Sequence, residues 1–242
     1  MSEILSAETL NYKWKKTRDK AVAAAIESGR DPEEVKVVAV SKTHSMEMVL
    51  NGIEAGIPVF GENYAQELKE KFEYLEQTGI PQPEWHFIGH LQRNKVKYIA
   101  PFVYMIHSVD SERLAREISK QAAKFDRTIP VLIQVNTSGE ESKFGCEPQN
   151  VNDLIEKAAK LENISIKGLM TIGSFDLDGV QNRKEFKLLH SLIEDARDRF
   201  PDMNLEHLSM GMTHDFELAV EEGATIVRVG TAIFGERDYG DK

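Results

Sequence analysis

At 242 residues with 41% hydrophobic content, the chain can bury a full core, as one large α/β domain or as two small ones. Thirty Lys and Arg against 40 Asp and Glu leave a formal charge of -10, which argues against nucleic acid or an anionic membrane as a partner of the whole surface; a local phosphate site stays open. The single Cys146 excludes an intramolecular disulfide and a cysteine-cluster metal site. No stretch approaches the roughly 20 apolar residues of a bilayer span, and M-S-E-I-L-S-A-E-T-L lacks the regions of a secretion signal, so a soluble cytoplasmic protein is expected.

The first predicted element is a helix from about Ala7 to Ser28, whose mixed charges mark a largely solvated face. From Val35 onward, β-branched apolar runs alternate with segments of helical spacing. The runs predict strands over Val35 to Val40, Pro58 to Gly61, Trp85 to Gly89, Met105 to Val109, Val131 to Asn136, Ile166 to Ile172, Leu205 to Met210 and Thr225 to Val229. Between them, apolar stripes recur at three- and four-residue steps: Val49, Leu50 and Ile53; Leu68, Phe72 and Leu75; Leu114, Ile118 and Phe125; Val151, Leu154, Ile155 and Ala158; Phe186, Leu189, Ile193, Ala196 and Phe200. Ser45, Ser111 and Glu147-Pro148 stand where helix caps or first turns belong.

Eight strand–helix alternations, with strands apolar on both faces, predict a closed eight-stranded parallel (β/α) barrel of the TIM type over about residues 35–235. The N-terminal helix, about 7–28, is expected to pack outside this barrel or across its bottom, all within one domain spanning 1–242. No G-x-G-x-x-G follows the first strand, which argues against a doubly wound dinucleotide-binding sheet.

In such a barrel the chemistry gathers where strands end at the C-terminal face. Lys42 follows the first strand; partly desolvated there, its pKa can fall toward neutrality and leave a free amine able to form an imine with an aldehyde. A lysine at a strand end is equally at home as a surface residue. Ser209-Met210-Gly211 and Gly230-Thr231-Ala232-Ile233-Phe234-Gly235 follow the last two strands, where backbone N–H groups and hydroxyls can hold a phosphate, although glycines there also serve ordinary turns. Arg228 interrupts the otherwise apolar T-I-V-R-V-G, so its guanidinium needs a ligand, a carboxylate or a structural ion pair. Amine, guanidinium and phosphate cradle on one rim match the needs of pyridoxal 5'-phosphate. Asn63 and Asn136 can hydrogen-bond a cofactor oxygen or simply build turns, while Glu62 and His90 stand at the same face. His86 and His90 have the spacing of a helical metal pair but straddle a strand end, so no metal site is expected. His214 and Asp215 are expected to open the helix before Glu221, Tyr64 the helix after the second strand, and Cys146 shows no activating neighbours.

Seven segments together are specific: A-V-S-K-T around Lys42, F-G-E-N-Y around Asn63, W-H-F-I-G-H-L-Q-R-N-K from Trp85, V-N-T-S-G-E-E-S-K-F-G from Val135, G-L-M-T-I-G from Gly168, L-S-M-G-M from Leu208 and R-V-G-T-A-I-F-G-E-R from Arg228. In these the chain resembles, nearly end to end, the pyridoxal phosphate homeostasis family, single-domain relatives of the alanine racemase barrel. The resemblance implies pyridoxal phosphate held as a Schiff base by Lys42, with Arg228 facing the pyridine nitrogen, Ser209, Gly230 and Thr231 at the phosphate, and Asn63 and Met210 also among the cofactor-binding residues. It implies a role in intracellular vitamin B6 balance without robust turnover, the cofactor itself as chief partner, and cofactor-free pyridoxal phosphate enzymes as candidate recipients. T-H-D after S-M-G-M departs from the Ser-x-Asp of many relatives, yet Thr213 keeps the hydroxyl. The alternative is an amino-acid racemase, which needs a second acid/base on the far face of the substrate. The additional β domain that carries it in alanine racemase is not expected where Gly235 to Lys242 alone follow Phe234, and Tyr64 is the conceivable substitute. A barrel enzyme using Lys42 on a phosphorylated metabolite is a third reading.

Overall fold

In the computed structural model of the chain, which describes residues 4–174 and 178–236, eight parallel strands close into a barrel in sequence order, the first pairing with the last. The elements run α1 (Ala7–Glu27), β1 (Lys36–Val40), α2 (Met46–Glu54), β2 (Val59–Glu62), α3 (Ala65–Thr78), β3 (Glu84–Phe87), α4 (Val96–Ile99), β4 (Met105–Val109) and α5 (Glu112–Ala123). They continue through β5 (Ile129–Gln134), α6 (Val151–Ala158), β6 (Ile164–Met170), α7 (Val180–Arg199), β7 (His207–Ser209), α8 (Phe216–Glu221), β8 (Ile226–Val229) and α9 (Thr231–Phe234). Arg237 of the last motif and the tail after it lie outside the described residues.

The strands are apolar on both faces because both faces are buried. Val38, Val59, Met105, Leu132, Met170 and Ile226 fill the barrel interior. Their neighbours of opposite parity, such as Val37, Phe60, Ile106, Ile133 and Val227, meet the helical stripes in the outer core. Ser45 and Ser111 cap α2 and α5 through their side chains, as the sequence leads one to expect. Helix α1 takes the outer of its two expected positions, against α2, α8 and α9, burying Leu10, Trp14, Ala21 and Ala25. The predicted stripe of α5 overshoots: the chain leaves the helix at Lys124, Asp126 turns at φ 51°, and Phe125 is left 45% exposed. Phe200 likewise caps α7 rather than extending it.

Pairing between β5 and β6 slips a residue where Val131 faces Ile166 but Leu132 faces Gly168. Gly168 sits there at φ 147°, and a Cβ on it would lie 1.8 Å from the carbonyl oxygen of His207. Backbone, not a movable side chain, blocks the site. Gly168→Ala is therefore expected to destabilise the fold by about 3 kcal/mol. Denaturant unfolding measures this; a loss under about 1 kcal/mol would show that β7 gives way cheaply.

Candidate functional site

A cavity of about 540 Å³ opens at the C-terminal ends of the strands, walled by Val40, Lys42, Asn63, Ile88, Ile172, Met212, Thr213, His214, Arg228, Gly230 and Thr231. Five of the seven residues that the sequence singles out for a ligand meet on this wall: Lys42, Asn63, Arg228, Gly230 and Thr231. Ser209 and Met210 do not. Met210 is buried in the outer core and its N–H donates to Ile226 O at 3.1 Å, while the Ser209 hydroxyl lies within the barrel. The loop after β7 contributes Met212, Thr213 and His214 instead, and the Thr213 hydroxyl accepts the Gly230 N–H at 3.3 Å. A larger hollow of about 620 Å³ beside Arg93, Asp110 and Arg113 has no lysine on its wall, so size alone does not select a site.

Arg228 projects inward in register with Val38 and is 4% exposed. One Nη donates to Ser209 Oγ at 2.7 Å and the other to Thr171 O at 2.8 Å. Burial pulls the guanidinium down to about 10 while Asp215 opposes the shift, so it remains charged at neutral pH. A guanidinium has five N–H donors, more than these two bonds use, and Arg228 is among the residues that wall the cavity.

A polar chain descends from Arg228 through the barrel. Ser209 Oγ lies 2.9 Å from His107 Nδ1, and His107 Nε2 lies 2.8 Å from His86 Nδ1. At the base, His86 Nε2 faces the Glu84 carboxylate at 3.7 Å, beyond hydrogen-bond range. His86 and Lys36 hold Glu84 down at about 2. Arginine only donates, so Ser209 Oγ accepts from it, while the tautomers of His107 and His86 set which atom donates in the two bonds below.

Burial drives both imidazoles below their usual pKa, His107 the further, since a proton on it would face the Arg228 charge and compete with one on His86. Folding thus fixes them neutral, whereas the unfolded chain protonates them below the ordinary value of 6.5. Their stabilisation is complete above that value and is lost as pH falls through it, by up to about 1.4 kcal/mol per pH unit for each ring. His107→Asn is expected to flatten the decline of unfolding free energy between pH 6.5 and pH 5 by one ring's share. Parallel pH profiles for the variant and the unaltered chain would contradict a neutral His107.

Asn63, the first residue past β2, lines the cavity, and its Oδ1 is buried without a hydrogen-bond partner. Gly89 holds it there: a Cβ at Gly89 would lie 2.5 Å from Asn63 O. An orphaned acceptor costs about 1–3 kcal/mol and fits a site that a polar ligand completes. Glu62, by contrast, turns away to Ser41 and Lys71, and burial raises its carboxyl to about 7 against the pull of Lys71. Asn136 is spent on its own loop, bonding Glu140 O, Ser138 and Gly139, which bears out the turn reading. His90 lies outside the cavity, stacked on Phe144, far in environment from the interior His86. Among the described residues no three His, Cys, Asp or Glu groups converge as a metal site. Asp215 opens α8 as expected, with its carboxylate accepting the Met212 N–H rather than capping the helix, and His214 also joins the cavity wall. Tyr64 precedes α3 at 59% exposure, and burial pushes the Cys146 thiol up to about 12. Ile88, Ile172 and Met212 escape a reading that follows polar residues only; the inward parity that Ile88 shares with His86 is the signal for one of them.

Residues 21–238 match the family model for the N-terminal domain of alanine racemase. A pyridoxal phosphate homeostasis protein of Aquifex aeolicus is 45% identical over 88% of this chain and 91% of its own length. The protein of that name from Escherichia coli K12 is 38% identical over 93% and 95%. Among solved structures, PipY of Synechococcus elongatus with pyridoxal phosphate (PLP) bound superposes at TM-score 0.78 with 33% identity, covering 89% of this chain and 99% of PipY. Alanine racemase of Corynebacterium glutamicum shares the fold at TM-score 0.68 and 16% identity, this chain covering 62% of it. With the barrel, the rim lysine and the interior arginine in place, the chain belongs to the pyridoxal phosphate homeostasis protein family, built on the barrel of the alanine racemase N-terminal domain.

Proposed function

We propose that this chain binds pyridoxal 5'-phosphate in the rim cavity as a Schiff base with Lys42, and buffers the cofactor within the cell without robust catalytic turnover. The observation that carries the reading is the convergence of Lys42, the charged Arg228, the Gly230–Thr231 turn and the unpartnered Asn63 carbonyl on one cavity of about 540 Å³. The relatives' names and the PLP-bound PipY support it. When bound, pyridoxal phosphate supplies an electrophilic aldehyde, a ring nitrogen and a phosphate.

Each has a counterpart. Lys42, half-buried one residue beyond Ser41, offers the amine. Arg228 faces the ring nitrogen and keeps it unprotonated, because a second positive charge beside a buried guanidinium is costly. Gly230, Thr231 and the Thr213 hydroxyl take the phosphate, and Asn63 takes a hydroxyl donor. Ser209 acts from beneath, by fixing Arg228, rather than by touching the phosphate. An unprotonated ring withdraws electrons poorly, so Arg228 favours holding the aldehyde over carbanion chemistry. Cofactor-free PLP enzymes of the cytoplasm are the proposed recipients.

Racemisation requires a second acid/base across from the lysine, and the Tyr64 side chain lies off the wall of this cavity. Incubation with D- and L-alanine in deuterium oxide separates the two functions. Exchange at Cα no faster than with free cofactor is the expected outcome; robust exchange that depends on Lys42 would overturn the binding reading.

A further inference from the structure

Beside Lys42, and outside the cavity, the buried Ser41, Glu62 and Lys71 and the partly exposed Glu67 form a polar cluster whose links end on the backbone at both sides of that lysine. Lys71 Nζ donates to Ser41 O at 2.9 Å, to Glu62 Oε1 at 2.7 Å and to Glu67 Oε1 at 2.7 Å, which uses all three of its hydrogens. Glu67 Oε1 also accepts the Thr43 N–H at 2.7 Å, and Ser41 Oγ donates to Glu62 Oε1 at 2.6 Å. Residues 41 and 43 are thereby tied to α3 and β2, with residue 42 between them.

Two features show that packing alone does not explain the cluster. Lys71 is 5% exposed and Glu62 not at all, and a buried ion pair stabilises a fold no better than apolar side chains of the same volume. Thr43, moreover, stands at φ 65°, a conformation that a β-branched residue adopts only when its surroundings impose it. The Glu67 carboxylate, reaching from the second half-turn of α3, is what grips its N–H. The Ser41 N–H still donates to Gly61 O of β2 at 3.1 Å and the His44 N–H closes a turn on Ser41 O at 3.1 Å; between these two backbone bonds, the Thr43 N–H is held by Glu67.

We infer that Lys71 and Glu67 are positioning residues that hold the chain on both sides of Lys42 and so aim its amine into the cavity. The inference rests on the reading that Lys42 captures an aldehyde. Glu67 is the informative position, because its side chain is 23% exposed and can be changed with less risk to folding than Lys71. Glu67→Ala removes the acceptor from Thr43; Glu67→Gln returns an amide oxygen to the same place.

The experiment has two arms on the full chain. In the first, backbone hydrogen exchange of cofactor-free protein is measured over residues 41–45. Glu67→Ala is expected to expose the Thr43 amide to faster exchange while its melting temperature stays near that of the unaltered chain, and Glu67→Gln to restore protection. In the second, absorbance follows the capture of pyridoxal phosphate. The rate is expected to fall about tenfold or more in Glu67→Ala and Lys71→Met, and to recover within about threefold in Glu67→Gln. Capture by Glu67→Ala at the unaltered rate would overturn the inference, and so would a loss that follows melting temperature with Gln no better than Ala. If the unaltered chain captured no more aldehyde than Lys42→Ala, the functional reading itself would fail, while the exchange arm would still report on the clamp.

Discussion

Lys42→Ala is expected to weaken retention of pyridoxal phosphate by about 100-fold or more, equivalent to about 2.7 kcal/mol, and to abolish the imine absorption band. What remains in the variant is the non-covalent part: the Gly230–Thr231 turn, Arg228 and Asn63 still wall the cavity. The fold should be indifferent to the change, since Lys42 is only half-buried and the strand before it is held by its own pairing with β2 and β8. Equilibrium dialysis with absorbance, alongside unfolding, separates the two. Equal affinity and an unchanged spectrum in Lys42→Ala would remove Lys42 from the binding reaction.

Arg228→Gln should act on the bound cofactor far more than on stability. The substitution forfeits charge-assisted hydrogen bonds to Ser209 and Thr171 O, each worth about 1.5–3 kcal/mol. It also relieves a buried charge that pairs closely with no carboxylate among the described residues, a burden of several kcal/mol. The two terms oppose, and a net change within about 2 kcal/mol is expected on unfolding. No such cancellation protects the ring nitrogen. Without the guanidinium it becomes protonatable, and amino-acid Cα exchange on the bound cofactor should rise about tenfold or more, each factor of ten reflecting about 1.4 kcal/mol of barrier. Exchange that stays at the unaltered level would show that Arg228 does not govern the electronics of the site.

The barrel was legible because buried parallel strands write themselves as β-branched runs and because their helices repeat apolar residues at three- and four-residue steps. Strand ends placed Lys42, Asn63 and Gly230–Thr231 at the mouth for the same reason. Ser209 and Met210, which follow from the same reasoning, are not on the wall of the cavity. Parity turns Ser209 inward beside Arg228, and β7 is so short that its loop reaches the cavity only at Met212. Sequence spacing does not report the level at which a loop meets the cavity, which depends on the tilt and stagger of the strands. The interior chain was illegible for a related reason: meeting of His86 and His107 requires the β3–β4 register, which sets His86 beside Met105. Lys71 did leave a mark. It falls between Leu68 and Leu75 on the buried side of α3, where a lysine needs partners; Glu67 one turn back is legible from the four-residue spacing, whereas Glu62 of β2 and the Ser41 carbonyl are brought in only by the fold.

The central claim, one covalent bond between Lys42 and the cofactor aldehyde, is tested most directly by borohydride reduction of the loaded protein followed by intact mass and peptide mapping. A single cofactor-derived adduct on the peptide that contains Lys42, lost in Lys42→Ala, is the predicted result. No adduct, or one on another lysine with Lys42 unmodified, would contradict it.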